Sequence, residues 1–452
     1  MAYPRSFKTF SCRVLALSTV SLCLLFSQTV LAEGLMEIYQ KAQNHDPSFK
    51  IANFQKMATA DKRRQAVAGL LPSLSASAEY KLTSQDIISS DNDVFGSGAD
   101  DYDTTTYGLT LTQPLFRWDS IVGLKQSKAE MMRAEAEYAL SAQELILRVA
   151  TLYLQVLATQ DQLEFALAEQ AAVEKLYEQA ITRHEMGLIP KTDLHDAKAR
   201  MTGTLAKTIQ AQDLVDDALQ ALQEVCGGTV GELNTLQGEI PMVSPDPADI
   251  DSWVQAALDE NPAIALREFA TEIARQEVRR QESGHYPTLD LVGRYHIEET
   301  KGSLFGGGSE VESTDLLLQL SVPLYQGGMV SSRVSEADYR LNIAQQELLA
   351  QTNSIKRQTR SAYLGVNNAL KRVEALQQSL LASKMAQEAK QDGYRSGLYS
   401  SLAVLDAERD LFLAQQDYAQ ARYDYLLNTL LLKQTTGRLT DQDLKQLDQW
   451  FK

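Results

Sequence analysis

Two rhythms of apolar and polar residues run along this chain. Over long stretches the apolar positions recur at helical spacing, as with Val149, Leu152, Val156 and Leu163 in the first half and Tyr363, Val366, Leu370 and Val373 in the second. Residues spaced this way form a stripe on one helix face, and the stripe needs a facing helix to cover it. The stretch 123–186 contains no proline. As one helix it would reach about 96 Å at ~1.5 Å per residue, far more than a globular domain uses. Its counterpart runs over about 328–396, and the segments 192–226 and 401–436 can each fold back on the long helix before them. A further helix is predicted over 35–69, rich in Ala, Gln, Lys, Arg and Met, with Pro72 as its stop.

The second rhythm has period two and marks strands near 73–82, 106–115, 289–296 and 315–323. Leu74, Ala76, Ala78, Tyr80 and Leu82 alternate with Ser73, Ser75, Ser77, Glu79 and Lys81, and Tyr107, Leu109 and Leu111 alternate with Thr106, Gly108, Thr110 and Thr112. Leu289, Leu291 and Tyr295 oppose Asp290, Arg294 and His296, while Leu316, Leu318, Leu320 and Val322 alternate with Asp315, Leu317, Gln319 and Ser321. This pattern fits either one face of a small soluble sheet or a barrel wall with an apolar outside and a polar lumen. Four strands are too few to close a water-filled barrel, and an open sheet edge is not tolerated in lipid. Closure by several identical subunits meets both conditions. Pro114 and Pro323, which lack an amide donor, suit the strand ends where the chain turns toward the long helices.

The two halves are versions of one plan. Asn44-His45-Asp46-Pro47 is answered by Glu260-Asn261-Pro262. Leu71-Pro72-Ser73-Leu74 matches Tyr286-Pro287-Thr288-Leu289 and Tyr80 matches Tyr295, all 215 residues on. Gln113-Pro114-Leu115-Phe116 matches Val322-Pro323-Leu324-Tyr325 at 209, and Gly187, Asp196 and Gly227 match Gly397, Asp406 and Gly437 at 210. Offsets that change only across loops are what a duplicated framework produces. The expected division is a leader over 1–32, a first repeat over 33–245 and a second over 246–452.

Composition then narrows the setting. Arg5, Lys8 and Arg13 precede the apolar run Val14 to Phe26, and Val30-Leu31-Ala32 suits a cleavage point, so the leader reads as a signal peptide, with a retained anchor as the alternative. Neither Cys12 nor Cys23 sits at that junction to take a lipid. After processing only Cys226 would remain, too few for an internal disulfide or a metal cluster. Loss of the three basic leader residues takes the formal net charge from -16 to -19, which disfavours nonspecific nucleic-acid binding. Beyond the leader no apolar run is long enough for a spanning helix, which excludes an ordinary helical inner-membrane transporter and leaves a barrel open.

Reactive chemistry is not evident. His184, His195 and His296 are scattered, no strand-turn-helix nucleophile elbow is present, and Arg333, Lys356, Arg357 and Arg360 lack the interleaved aromatics of a nucleic-acid surface. No catalytic residue, cofactor or metal is therefore expected. Asp86, Asp91, Asp93, Asp100, Asp101 and Asp103 load the loop expected after the first strand, where solvation fits better than calcium because the spacing is not that of an EF-hand. Gly302 and Gly306-Gly307-Gly308 make the second loop flexible.

Taken in order through roughly 400 residues, these landmarks resemble the outer-membrane efflux protein family. The resemblance is carried by Leu35-Met36-Glu37-Ile38-Tyr39-Gln40-Lys41-Ala42, Leu70-Leu71-Pro72, the Gln-Pro-Leu-Phe and Val-Pro-Leu-Tyr strand ends, and Gly393-Tyr394-Arg395-Ser396-Gly397. Val404-Leu405-Asp406-Ala407 and Ala421-Arg422-Tyr423-Asp424-Tyr425-Leu426 complete it. It implies a mixed α/β membrane protein: a homotrimeric outer-membrane β-barrel continuous with a long periplasmic α-helical barrel, with residues 227–250 and 437–452 in an equatorial region. It further implies a passive exit duct for tripartite efflux or type I secretion. The partners would be a periplasmic membrane-fusion adaptor and an inner-membrane ABC or RND-type pump, which would supply the energy because the chain has no nucleotide loop. A periplasmic structural or adhesive coiled-coil assembly and a free-standing porin are the alternatives.

The resemblance also implies a periplasmic gate. Gly187 and Gly397 would sit at the helix reversals. Tyr394 would help hold the entrance closed, facing Thr192 and Asp193, with turn packing alone as its other reading. Asp406 matches an inner aspartate that symmetry would repeat as a ring around the pore, and an ordinary solvated aspartate is the alternative. Ala403 stands where a companion aspartate is usual and Tyr399 where a basic residue is usual. Closure should therefore lean on aromatic packing, and cation selectivity should be reduced.

Overall fold

The computed structural model describes residues 33–89, 98–236, 238, 240–302 and 307–451. The expected leader, with Cys12 and Cys23, and Asp91, Asp93 and Gly306 of the two loops lie outside the described residues. Helix α1 (Leu35–His45) ends just before Asp46-Pro47, and α2 (Pro47–Ala68) begins on the proline, so the single helix expected over 35–69 is two. Proline has no amide for the preceding turn and drives the residue before it out of helical backbone. Asp46 converts that break into a start, its carboxylate accepting the Phe49 amide at 2.7 Å. Strands β1 (Ser73–Ile87) and β2 (Gly98–Phe116) follow as a hairpin, then α3 (Trp118–Glu185) and α4 (Lys191–Cys226).

The second half repeats this order. Helices α5 (Ile250–Glu260) and α6 (Pro262–Glu282) are divided at Asn261-Pro262, where the Asn261 side chain accepts the Ala263 amide at 2.8 Å. A short 3-10 turn at Ser283–His285 leads to β3 (Thr288–Thr300) and β4 (Ser309–Ser321), then α7 (Met329–Arg395), α8 (Ser401–Thr435) and the short α9 (Asp441–Asp448). With 68 and 67 residues, α3 and α7 are each about 100 Å long at ~1.5 Å per residue. Among the described residues no helix is both long and apolar enough to cross a membrane.

The sheet is antiparallel throughout in the order β1-β2-β3-β4, which leaves one side of β1 and one side of β4 unpaired. Its first hairpin extends to the pair Ile87↔Gly98. Asp86, Asp100, Asp101 and Asp103, expected in a loop, are therefore strand residues, because the backbone ladder continues whatever the side chains' polarity. Asp103 accepts the Tyr80 hydroxyl across the ladder at 2.8 Å. Leu74, Tyr80, Leu82, Leu109, Leu316, Leu318 and Leu320 are all exposed on the sheet. An apolar patch of that extent normally meets lipid or another protein.

The main core lies where the helical hairpins meet the segment joining the repeats. Tyr153, Leu154 and Leu157 of α3 pack with Leu222, Val366, Leu426, Leu430, Leu444 and Phe451. The joining segment is strapped on by bridges Glu33↔Leu233 and Leu236↔Phe451. Buried Tyr153 donates to the Asn234 carbonyl at 2.9 Å, with that of Glu33 at 3.2 Å, and Tyr425 both accepts the Val243 amide at 2.9 Å and donates to its carbonyl at 3.0 Å. A buried Tyr supplies apolar area and needs a partner for its hydroxyl, and both tyrosines find it in this segment's backbone.

Candidate functional site

The two hairpin tips, far along the helices from the sheet, are built alike. Gly187 and Gly397 have φ of 71° and 77°. The amide of Gly187 donates to the His184 carbonyl at 2.9 Å and that of Leu188 to Arg183 at 2.8 Å. Gly397 donates to Tyr394 at 3.1 Å and Leu398 to Gly393 at 2.7 Å. This is the paired bonding of a Schellman turn, which wants a residue without a Cβ strain penalty at its left-handed position. At the opposite ends of the return helices, Gly227 and Gly437 have φ of 71° and 78°. There a Cβ would also collide, with His45 at the first and with the Glu260 carbonyl at the second.

Between the tips the repeats touch through an apolar cluster of Val173, Leu176 and Ala180 of α3, Ala197 of α4, Tyr394 of α7, and Val404 and Leu405 of α8. Tyr394 is 6% exposed, and the Arg183 guanidinium lies 4.2 Å from its ring centroid, a cation–π contact. Tyr399 is half exposed, and its ring lies where a side chain at residue 393 would stand, so glycine there makes room for it.

The candidate gate residues do not form one cluster within the single chain. Thr192 is exposed and its hydroxyl donates to the Asp193 carboxylate at 3.3 Å, while Asp193 lies in the first turn of α4, where a carboxylate suits the helix dipole. Ala403 occupies the first turn of α8, its amide donating to the capping Ser400 hydroxyl at 3.3 Å. Asp406 is neither solitary nor simply solvated: its carboxylate accepts from the Arg200 guanidinium of α4, and Arg409 lies 3.9 Å away. Arg200 stands two helical turns beyond Asp193, on the same face of α4. That seven-residue spacing was legible in the sequence, but which face meets α8 was not.

Buried carboxyls near the tips have polar partners. Glu169, 9% exposed, has Lys207 at 3.3 Å, and Glu408, 8% exposed, accepts from the Gln387 amide at 2.5 Å. Farther up, Asp161 accepts the Tyr423 hydroxyl at 2.7 Å. Burial raises the Asp161 carboxyl above the usual range, against the lowering effect of that hydrogen bond; Glu164 adds to the rise and Arg422 opposes it. Cys226 is buried with its thiol 3.9 Å from the Ile38 carbonyl, and burial pushes its pKa up to about 11. It is a protonated packing residue at neutral pH. No three His, Cys, Asp or Glu are gathered for a metal among the described residues.

Comparison with known proteins places these features in context. The sequence model described as "Outer membrane efflux protein" matches this chain twice, over 38–228 and 253–438. The outer membrane protein TolC of Vibrio cholerae is 31% identical over 428 residues, covering 94% of this chain and 95% of that protein. The alkaline protease secretion protein AprF of Pseudomonas aeruginosa is 28% identical over 425 residues, covering 93% and 88%. The CmeC outer membrane channel of Campylobacter jejuni superposes with a TM-score of 0.78 at 16% identity, covering 92% of this chain and 89% of that one.

Proposed function

We propose a function from one premise: the chain belongs to the outer membrane efflux protein family. It is an outer-membrane exit duct of the efflux and type I secretion kind, with the sheet in the outer membrane and the helices in the periplasm. The observation that carries this is the join of an unclosed apolar sheet to two helical hairpins about 100 Å long. An unclosed sheet satisfies its edges in lipid only by pairing with further copies. We read the working unit as a homotrimer whose twelve strands close one barrel, exported with the help of residues 1–32. A periplasmic adaptor would recruit it to an inner-membrane pump, and transport rather than catalysis is its role.

The hairpin tips are then the periplasmic entrance. Gly187 and Gly397 set the reversals, Tyr394 locks the seam between the repeats, and Thr192, Asp193, Tyr399, Ala403 and Asp406 line or brace the constriction. Conductance of the purified protein in planar bilayers tests this reading. Discrete channels are expected, and Tyr394→Leu, which removes the ring beneath Arg183, should lengthen or enlarge openings while Tyr394→Phe stays near the unmodified protein. No insertion across several detergents and pH values would favour a periplasmic adhesive or structural assembly instead.

A further inference from the structure

The duplication extends the strand pairing within one copy to the seam between copies, an inference that rests on the duct reading. Residues of β1 precede their counterparts in β3 by 215, as Tyr80 does Tyr295, and those of β2 precede β4 by 209, as Pro114 does Pro323. The structure obeys these offsets. In the first hairpin Ser73 faces Thr112; adding 215 and 209 gives Thr288 facing Ser321, which is the observed pair of the second hairpin. The ladder β2·β3 joins the first repeat to the second within the chain, with Thr112 facing Val292. Its equivalent, from the second repeat to a first repeat, can be made only by β4 and the β1 of another copy.

We infer that copies of this chain join in a single register, with Ser321 of β4 in one copy facing Ser77 of β1 in the next. The transfer adds 209 to Thr112 and subtracts 215 from Val292. It continues antiparallel, setting Leu320 against Ala78, Leu318 against Tyr80 and Leu316 against Leu82 on one face. Gln319 meets Glu79, Leu317 meets Lys81 and Asp315 meets Thr83 on the other.

Three observations not used in the transfer agree with it. The apolar residues exposed on both free edges, Leu316, Leu318 and Leu320 on one and Tyr80 and Leu82 on the other, fall on a common face. A one-residue slip would set the three leucines against Lys81, Glu79 and Ser77 and invert one strand's faces. Thr83 Oγ1 is buried without a hydrogen-bond partner among the described residues, and the register brings Asp315 opposite it. Lys81, which has no ion pair among the described residues, gains as a diagonal neighbour across the seam Asp315, whose carboxylate also lies 4.0 Å from His296 of its own copy.

Cysteine pairs in the full-length protein, expressed and assembled in the outer membrane, test the register. Gln319→Cys is combined in turn with Ser77→Cys, Glu79→Cys and Lys81→Cys, and membranes are mildly oxidised and run unreduced. The pair with residue 79 should give nearly all the covalent product, in a ladder that stops at the closed ring. Positions two residues along lie about 7 Å away, beyond the ~4.5 Å Cβ separation a disulfide spans. Leu318→Cys with Tyr80→Cys should repeat the result on the opposite face. Dominant product at 77 or 81, or none from a protein that still conducts in bilayers, would overturn the register while sparing the duct. Absence of both conductance and membrane insertion in the unmodified protein would instead remove the reading beneath it.

Discussion

Near the hairpin tips, the proposed entrance, one guanidinium changes what a carboxylate can do. Asp406 alone would present a negative ring in a symmetric assembly, whereas Asp406 held by Arg200 presents a dipole with little net charge. Three variants separate the cases by reversal potential in a salt gradient. Arg200→Gln should shift the channel toward cations, Asp406→Asn toward anions, and the double variant should return close to the unmodified protein. No shift in either single variant would place both residues away from the conduction path. Because both are about a third exposed, the pair adds no more than ~1 kcal/mol to stability, and its effect should be read in selectivity. Asp161 carries the residue-scale pH dependence. Its folded-state pKa is raised, so the folded protein holds that proton more tightly than the unfolded chain. The resulting stability is fully present below the ordinary carboxylate pKa and is lost as pH rises through the raised one. Relative to Asp161→Asn, the unmodified protein in detergent should lose melting temperature as pH rises from about 4 to 7. Asp249, Glu260 and Glu277, held below the ordinary carboxylate range, contribute equally to both proteins.

Among the elements, four glycines end helices in the left-handed region but differ in surroundings. A Cβ at Gly187 or Gly397 meets open space, whereas at Gly227 or Gly437 it meets His45 or the Glu260 carbonyl. Gly397→Ala should cost about 1–2 kcal/mol, the penalty of the backbone conformation alone. Gly437→Ala should cost more, because backbone rather than a flexible side chain stands in the way; urea unfolding of the two variants side by side measures the gap. Both glycine types were legible as repeated landmarks 210 residues apart. Their different tolerance was not, since it depends on α5 ending against the turn after α8. The proline breaks were equally visible as Asp46-Pro47 and Asn261-Pro262. The composition of 35–69 favours one continuous helix, and Pro47 overrides it by both stopping α1 and starting α2.

For the whole molecule, the exposed face of the sheet decides where the protein can reside. Leu318→Arg puts a charge on the face read as lipid-facing and should cost about 2–4 kcal/mol if the residue lies at the bilayer midplane, falling to about 0–1 kcal/mol near a membrane–water interface. Gln319→Arg, on the other face, should assemble nearly normally. Yield of folded protein in the outer-membrane fraction distinguishes them, and equal tolerance would mean that the leucines face protein. The helices cannot span the bilayer in place of this face, because none among the described residues is long and apolar enough to cross a membrane.

By itself the sequence determined the elements and their order. Periods of two and about 3.6, proline breaks and left-handed glycines are local consequences of backbone geometry, and duplication displayed each of them twice. The same landmarks carried the resemblance to the family. Only the tertiary structure decided which faces meet: that Arg200 reaches Asp406, that Tyr394 lies beneath Arg183, and that the acidic residues flanking the first hairpin belong to its strands. Such contacts depend on the rotation of one helix against another and on the length of a backbone ladder. Those are settled by packing across hundreds of residues, and periodicity along the chain carries no record of them.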